Sequence, residues 1–317
     1  MNTIDAGPLK QDFPNSFAIY FAATRPPFIL ATIIPIILGA AYTGYQGFDI
    51  QWLNFVLSVL AGIFLHAGVN VLNDYYDALN GTDDNNDERI YPFTGGSRFI
   101  QNQILSKKQT LYFGLGLIGV VVLIGFYLVI NTASSVLLLL GLFGIFIGWA
   151  YSAPPIKLNS RGLGELTVVV GFSLLPFGAW LIQTGSISVN VILISLPLGL
   201  LTSSLLYINQ YPDRKADISA NKLHWVARLP TKVSRWGYLL ITLFAWALLI
   251  YYMSIGLLPT LSLIALLPVV PSLFAAKELF QYSDKPQKLG TAIKMTLISM
   301  LLHGVLLSAS LLLSQNN

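Results

Sequence analysis

Nine separate apolar runs, each about as long as a bilayer crossing, constrain this chain more than any other feature. They lie near residues 28–46, 52–72, 110–130, 134–151, 164–183, 190–209, 236–253, 257–275 and 291–313. A helix crosses the hydrocarbon core in roughly 17 to 25 residues, so each run predicts one transmembrane helix. Composition agrees: 55% of the residues are hydrophobic and 10% charged, against about 25% charged in soluble proteins. The expected architecture is an all-α integral membrane protein with nine transmembrane helices in one bundle. Residues 1–317 are expected to form a single domain.

Basic residues of short loops are retained on the cytoplasmic side, and this sets the expected orientation. With a cytoplasmic N-terminus, all 18 Lys and Arg fall on the inner side or at its helix ends, while the outer loops near 47–51, 131–133, 184–189 and 254–256 and the terminal Ser-Gln-Asn-Asn have none. The net charge of +4 then reflects attraction to an anionic inner leaflet and not nucleic-acid binding, since no basic stripe is interleaved with stacking aromatics. With no cysteine, disulfides and thiolate metal sites are excluded. The N-terminus does not read as a cleavable signal, because Asp5, Lys10 and Asp12 precede the short apolar segment 16–24. That segment is expected to be an interfacial helix.

Polar residues gather in four loops expected on the inner side: 73–109, 152–163, 210–235 and 276–290. The stretch Asn70 to Arg98 carries six carboxylates and two arginines directly after an apolar run. Counting from His66 just before it, His66, Asn70, Asn73 or Asp74, and Asp77 recur at steps of three and four, so a helix would present them on one face. A charge at the bilayer centre costs at least about 2.5 kcal/mol, so this face is expected to turn into the bundle or a wet cavity. Asp83 extends the acidic cluster past Gly81, whereas Asp84, Asp87 and Glu88 read as solvated loop. His66 and His303 read as core histidines.

The pattern returns later in the chain. Asn73-Asp74-Tyr75-Tyr76-Asp77 and Asn209-Gln210-Tyr211-Pro212-Asp213 share one template, and each ends an even-numbered crossing. The expected consequence is two quasi-equivalent halves that bring their acids together. Asp213 and Asp217 would share a helix face, with Pro212 able to kink or restart the helix. Facing carboxylates repel unless a cation lies between them. Oxygen-only ligands suit Mg²⁺, which binds through few carboxylates together with phosphate oxygens and water, and this implies a phosphate-bearing substrate.

Basic residues nearby can bind diphosphate oxygens: Arg98 after the glycines of Thr94-Gly95-Gly96-Ser97, Lys157 and Arg161 after the double proline, and Arg214, Lys215 and Lys222 beside the second cluster. Lys157 is the foremost of these, with Tyr151 and Ser152 expected at the rim. The two glycines could form either an anion-binding nest of amides or a plain turn. A cation-coupled transporter and a non-catalytic scaffold are the competing classes. Acids confined to one end of the helices, with no polar counterpart at the other, speak against the transporter.

These residues resemble the UbiA superfamily of intramembrane aromatic prenyltransferases. Its first signature is matched by Asn73, Asp74, Tyr75, Asp77, Gly81 and Asp83, its second by Asp213 and Asp217, and the stretch between them by Tyr151, Ser152 and Lys157. Arg25 to Phe28 resembles its entry to the first helix. The segment 151–165 and the run Pro212 to Asp217 are most similar to the menaquinone-pathway branch. Where relatives often carry Gly-Lys followed by a threonine and a closing Gly, this chain reads Asn221-Lys222 and ends the segment at Pro230.

The resemblance implies an enzyme of the bilayer that transfers a polyprenyl group from its diphosphate to an aromatic acceptor, foremost 1,4-dihydroxy-2-naphthoate, with 4-hydroxybenzoate as an alternative. It implies Mg²⁺ held by Asp77 and Asp83 on one side and Asp213 and Asp217 on the other, with Asn73 and Asp74 completing the coordination or its hydrogen bonds. Asp77, Asp213 and Lys157 are then the catalytic groups, and Asn70, Arg98, Tyr151, Ser152, Lys157, Arg161 and Lys215 the diphosphate contacts. The implied location is a membrane, the inner one if the source is a bacterium, with the site facing the cytoplasm.

Overall fold

The computed structural model describes residues 7–315; Asp5, Asn316 and Asn317, which entered the reading above, lie outside them. Eleven α-helices follow in order: α1 Ser16–Ala23, α2 Pro26–Tyr45, α3 Trp52–Asn80, α4 Lys107–Thr132, α5 Ser135–Ser152, α6 Gly164–Thr184, α7 Val189–Ser219, α8 Trp225–Arg228, α9 Thr231–Ser254, α10 Val269–Tyr282 and α11 Gly290–Leu313. Among the described residues nine segments are long and apolar enough to cross a membrane, and they coincide with the nine predicted runs. The eighth combines a 3-10 stretch, Thr260–Leu266, with α10. Pro268, which cannot donate a backbone hydrogen bond, stands where the two are joined.

The helix ends follow local chemistry. Pro26 and Pro27 occupy the first turn of α2, where their missing N–H groups cost nothing. Ser106 and Gln109 cap α4 reciprocally, which satisfies two otherwise orphaned groups. Gly81 ends α3 in the left-handed conformation at φ 80° and donates its N–H to the Asp77 carbonyl, a geometry that favours glycine.

Burial ranks the helices. The apolar window of α7 is 72% buried, against 17% for those of α4 and α5. Thus α7 is the central post of the bundle, and α4 and α5 present most of their surface to lipid. The main core joins Leu38 of α2, Leu181 of α6, Ile194, Leu198, Leu201 and Tyr211 of α7, Tyr238 and Leu249 of α9, and Ile293 and Leu307 of α11. Many buried hydroxyls pair inside the bundle, as a hydrocarbon environment favours. Tyr207 donates to the Ser234 carbonyl at 2.7 Å, and the Tyr211 hydroxyl bonds Ser234 Oγ at 2.8 Å, tying α7 to α9. His303 is fully buried and bonds the Ala265 carbonyl at 3.0 Å, the core role expected of it.

Two helices outrun their apolar runs. The 29 residues of α3 and the 31 of α7 span about 44 and 46 Å at roughly 1.5 Å per residue, well beyond the ~30 Å hydrocarbon core. The extra turns carry the acidic motifs, and α7 continues through Pro212 without restarting. At the same end, α1 packs Ile19 and Ala23 on Phe99, Ile104 and Leu105. It leaves Phe17 and Phe21 exposed and stacked, with centroids 6.2 Å apart, which suits a helix lying along a membrane surface.

Candidate active site

The extended ends of α3 and α7 face each other across the head of one cavity of about 560 Å³. Asp77 and Asp83 line it from the first motif, and Asp213 and Asp217 from the second. The template shared by the two motifs therefore marks two walls of one site. Away from the acids the lining becomes apolar, between α3, α4, α5 and α6. Val122, Phe126, Leu138, Leu142 and Phe143 line the cavity and are also exposed at the bundle surface, so it opens sideways between α4 and α5.

Each acid has a distinct environment. Asp74 is buried; its Oδ2 accepts the Ser97 N–H at 3.1 Å, and its Oδ1 lies 3.9 Å from Arg25 Nη2. Asp77 Oδ2 is 3.2 Å from Lys222 Nζ, and its Oδ1 accepts from Asn80 at 3.3 Å. Asp83 is buried and its Oδ2 has no partner. Burial first, then the carboxylates of Asp77 and Asp74, push its pKa well above the ordinary value. Asp213 accepts from Asn86 at 2.6 Å and from the Gly95 N–H at 3.3 Å. Asp217 Oδ2 bonds His224 Nε2 at 2.8 Å, and its Oδ1 stands 3.4 Å from Lys222 Nζ.

The glycine turn serves these acids. Gly95 and Ser97 donate their amides to Asp213 and Asp74. A Cβ on Gly96 would stand 2.7 Å from Asp83 Oδ2 and 3.1 Å from Asp74 Oδ1; glycine lets the loop close over both. The nest of amides binds the protein's own carboxylates, which act here as the anions.

The basic residues are distributed differently from the sequence expectation. Arg98 donates to the Asp83 main-chain carbonyl, Arg161 to the Pro155 carbonyl at 2.8 Å, and exposed Lys215 to Glu88 at 2.6 Å. Arg214 turns to the carbonyls of Val226 and Leu229. Lys157 follows the double-proline turn in a left-handed conformation at φ 47° and is not part of the cavity wall. The cations that do line the cavity are Arg25 and Lys222. Burial disfavours the Lys222 ammonium, but Asp217 and Asp77 outweigh it and hold its pKa well above the usual lysine value; it stays charged.

Other expected contacts are present at the wall. Asn70 donates to the Thr24 carbonyl at 3.2 Å and Asn73 to Ser152 Oγ at 2.7 Å, and both line the cavity together with Tyr151. Ser152 lies behind Asn73 and also accepts from Asn159 at 3.3 Å. His66, read both as a core histidine and as part of the polar face, lines the cavity, with Nδ1 2.5 Å from Thr32 Oγ1. Asn86 and His224 were invisible to motif reading: Asn86 lies in a run that looks solvated, and His224, seven residues past Asp217, reaches it only because the chain turns back after α7. The Ala227 N–H donates to His224 Nδ1, so His224 Nε2 carries the proton and donates it to Asp217.

The donor set fits a hard cation. Among the described residues no three acidic or histidine side chains converge closely enough to hold a metal alone, while Asp74 Oδ1, Asp83 Oδ2 and Asp217 Oδ1 are buried oxygens without hydrogen-bond partners. That combination suits Mg²⁺, which uses one or two carboxylates and completes its shell with water and phosphate oxygens.

Comparison with known proteins decides the family. Residues 32–300 match the model of the UbiA prenyltransferase family. The chain belongs to this family. A 1,4-dihydroxy-2-naphthoate octaprenyltransferase of Haemophilus influenzae is 30% identical over 96% of this chain and 99% of its own. A 2-carboxy-1,4-naphthoquinone phytyltransferase of Synechocystis is 28% identical over 87% of each. The fold matches a UbiA homolog from Archaeoglobus fulgidus bound to GPP and Mg²⁺, with TM-score 0.58 and 13% identity over 92% of this chain and 99% of that one. The protein is thus an integral membrane prenyltransferase.

Proposed function

We propose that this prenyltransferase transfers a polyprenyl group from its diphosphate to 1,4-dihydroxy-2-naphthoate, at a site facing the cytoplasm and with the N-terminus on the same side, in the inner membrane if the source is a bacterium. The observation that carries the reading is the pair of acidic motifs facing each other at the head of an apolar cavity that opens to lipid. The naphthoate acceptor is supported by the two relatives, whose names both specify a naphthalene ring with a 2-carboxyl group. The homolog bound to GPP and Mg²⁺ supports the same class of donor and metal.

In this reading Asp77, Asp83, Asp213 and Asp217 hold Mg²⁺, with Asn73 at the wall and Asp74 anchoring the loop that carries Gly96. Bound by these residues, Mg²⁺ would supply positive charge against the diphosphate as it becomes a leaving group. Lys222 and Arg25 supply further positive charge at the same head. The polyprenyl tail lies along the apolar lining and leaves between α4 and α5. The allylic C–O bond breaks with both electrons going to the diphosphate oxygen, a carbon of the acceptor ring supplies the pair for the new C–C bond, and the carboxylate on that carbon leaves as carbon dioxide, its C–C bonding pair returning to the ring. Apolar walls keep water from the cation.

The experiment is incubation of the purified protein with Mg²⁺, an all-trans polyprenyl diphosphate and a panel of aromatic acceptors, with and without chelator. Prenylated, decarboxylated naphthalenediol that disappears with chelator is expected. Product from 4-hydroxybenzoate alone would replace the acceptor, and absence of any diphosphate release would overturn the reading.

A further inference from the structure

Lys222 occupies an unusual position for a substrate-binding lysine. Its ammonium bridges Asp77 Oδ2 at 3.2 Å and Asp217 Oδ1 at 3.4 Å, one oxygen from each acidic motif. The other oxygen of Asp217 is committed to His224, so the lysine holds the one that remains. Those two oxygens are also the ones that a cation between the motifs would take. A metal at about 2.0–2.1 Å from its ligands and an ammonium bridging the same two oxygens would be two cations in near contact, so they compete for the position.

The main chain at Lys222 is held on both sides. Its N–H donates to the Asp217 carbonyl at 2.8 Å, and the next N–H, of Leu223, donates to the Ser160 carbonyl at 3.0 Å. Asn221 makes the turn between helix and loop at φ 57°. What remains free to move is the flexible side chain, and an ammonium with three donors needs an anion to receive it if it leaves buried carboxylates. Diphosphate oxygens at the cavity head are such acceptors.

We propose that Lys222 is a resident counter-cation that holds the two acidic motifs together before substrate arrives and is handed to the diphosphate when the metal enters. Metal and diphosphate then bind as a pair: the metal alone must displace a lysine with nowhere to go, and diphosphate alone meets a head crowded with carboxylates. This rests on the reading of the cavity head as a metal–diphosphate site.

The test uses the full-length protein in detergent, with Mn²⁺ as the metal probe followed by its paramagnetic resonance signal and inorganic diphosphate as the anion. The signal is corrected for Mn²⁺ chelated by free diphosphate. The wild type is expected to bind Mn²⁺ at least about tenfold tighter with diphosphate than without, and its melting temperature to rise with the pair and hardly with either alone. Lys222→Met is expected to bind Mn²⁺ alone about tenfold tighter than the wild type and to lose most of the dependence on diphosphate.

Wild-type binding of Mn²⁺ that is equally tight without diphosphate overturns the proposal but leaves the site reading intact, and it needs no variant to fold. A Lys222→Met protein that binds Mn²⁺ alone no tighter than the wild type also overturns it. No Mn²⁺ binding by the wild type even with diphosphate overturns both.

Discussion

The two acidic motifs share a template but not a condition. In the second, Asp213 and Asp217 project from an unbroken helix and each is already held: Asn86 and the Gly95 amide fix one, His224 and Lys222 the other. In the first, α3 ends at Gly81 and the acids lie on both sides of that stop, so Asp83 comes from a 3-10 turn with an unpartnered oxygen. The second motif has a side-chain donor on each acid, whereas the first has donors on Asp74 and Asp77 and leaves Asp83 Oδ2 without one. The shared template repeats the ligands, while the shell around each set comes from loops that differ.

The largest effect tests whether the halves work as one site. Asp77→Asn and Asp213→Asn should each lower prenyl transfer by about a thousandfold or more, and the double variant should be hardly worse than either, because groups acting as a unit are not additive. Rates measured on variants with unchanged melting curves check this; multiplicative losses would separate the halves.

Next come the two side chains that orient the second motif, Asn86 on Asp213 and His224 on Asp217. Asn86→Ala and His224→Ala should each weaken metal affinity by about 10- to 100-fold, measured by Mn²⁺ titration with diphosphate present. His224→Gln, which keeps an N–H for Asp217, should recover part of the loss. Indifference to both changes would show that the second motif needs no support.

A smaller effect, on pH, belongs to the first motif. Burial and the neighbouring carboxylates raise the Asp83 pKa, so the metal-free native state binds a proton there that the unfolded chain does not. This group's contribution to stability therefore falls as pH rises from the ordinary carboxylate value through the raised native one. Metal binding displaces that proton, so affinity should climb by up to about tenfold per pH unit across the same window and level off above it. Asp83→Asn should flatten the slope in a titration series. The smallest effect is at Lys215: exposed ion pairs contribute about 0–1 kcal/mol, and Lys215→Met should leave the rate within about twofold.

Legibility in the sequence divided along the same line. The step of four between Asp213 and Asp217, and the recurrence of Asn73 and Asp77 as Asn209 and Asp213, placed acids on helix faces correctly because side-chain periodicity is local. The basic residues were legible as a group and misleading one by one. Lys215 stands closer to the second motif in sequence than Lys222 does, yet it pairs with Glu88, and Lys157, expected at the site from the stretch between the motifs, stays outside the cavity wall. Asn86 was hidden by its setting among exposed acids, and the Gly95–Gly96 turn read as a phosphate nest because carboxylates and phosphates ask the same of an amide.

By itself the sequence determined the nine crossings, their membrane setting, the two acidic motifs and the class of chemistry, since the length of an apolar run and the spacing of ligands are properties of consecutive residues. Only the tertiary structure decided which cation stands between the motifs. That choice depends on the left-handed turn at Asn221 and on the Leu223 amide reaching Ser160, a contact between distant segments. One ammonium is thereby aimed at two carboxylates from different halves of the chain, and no local pattern encodes that geometry.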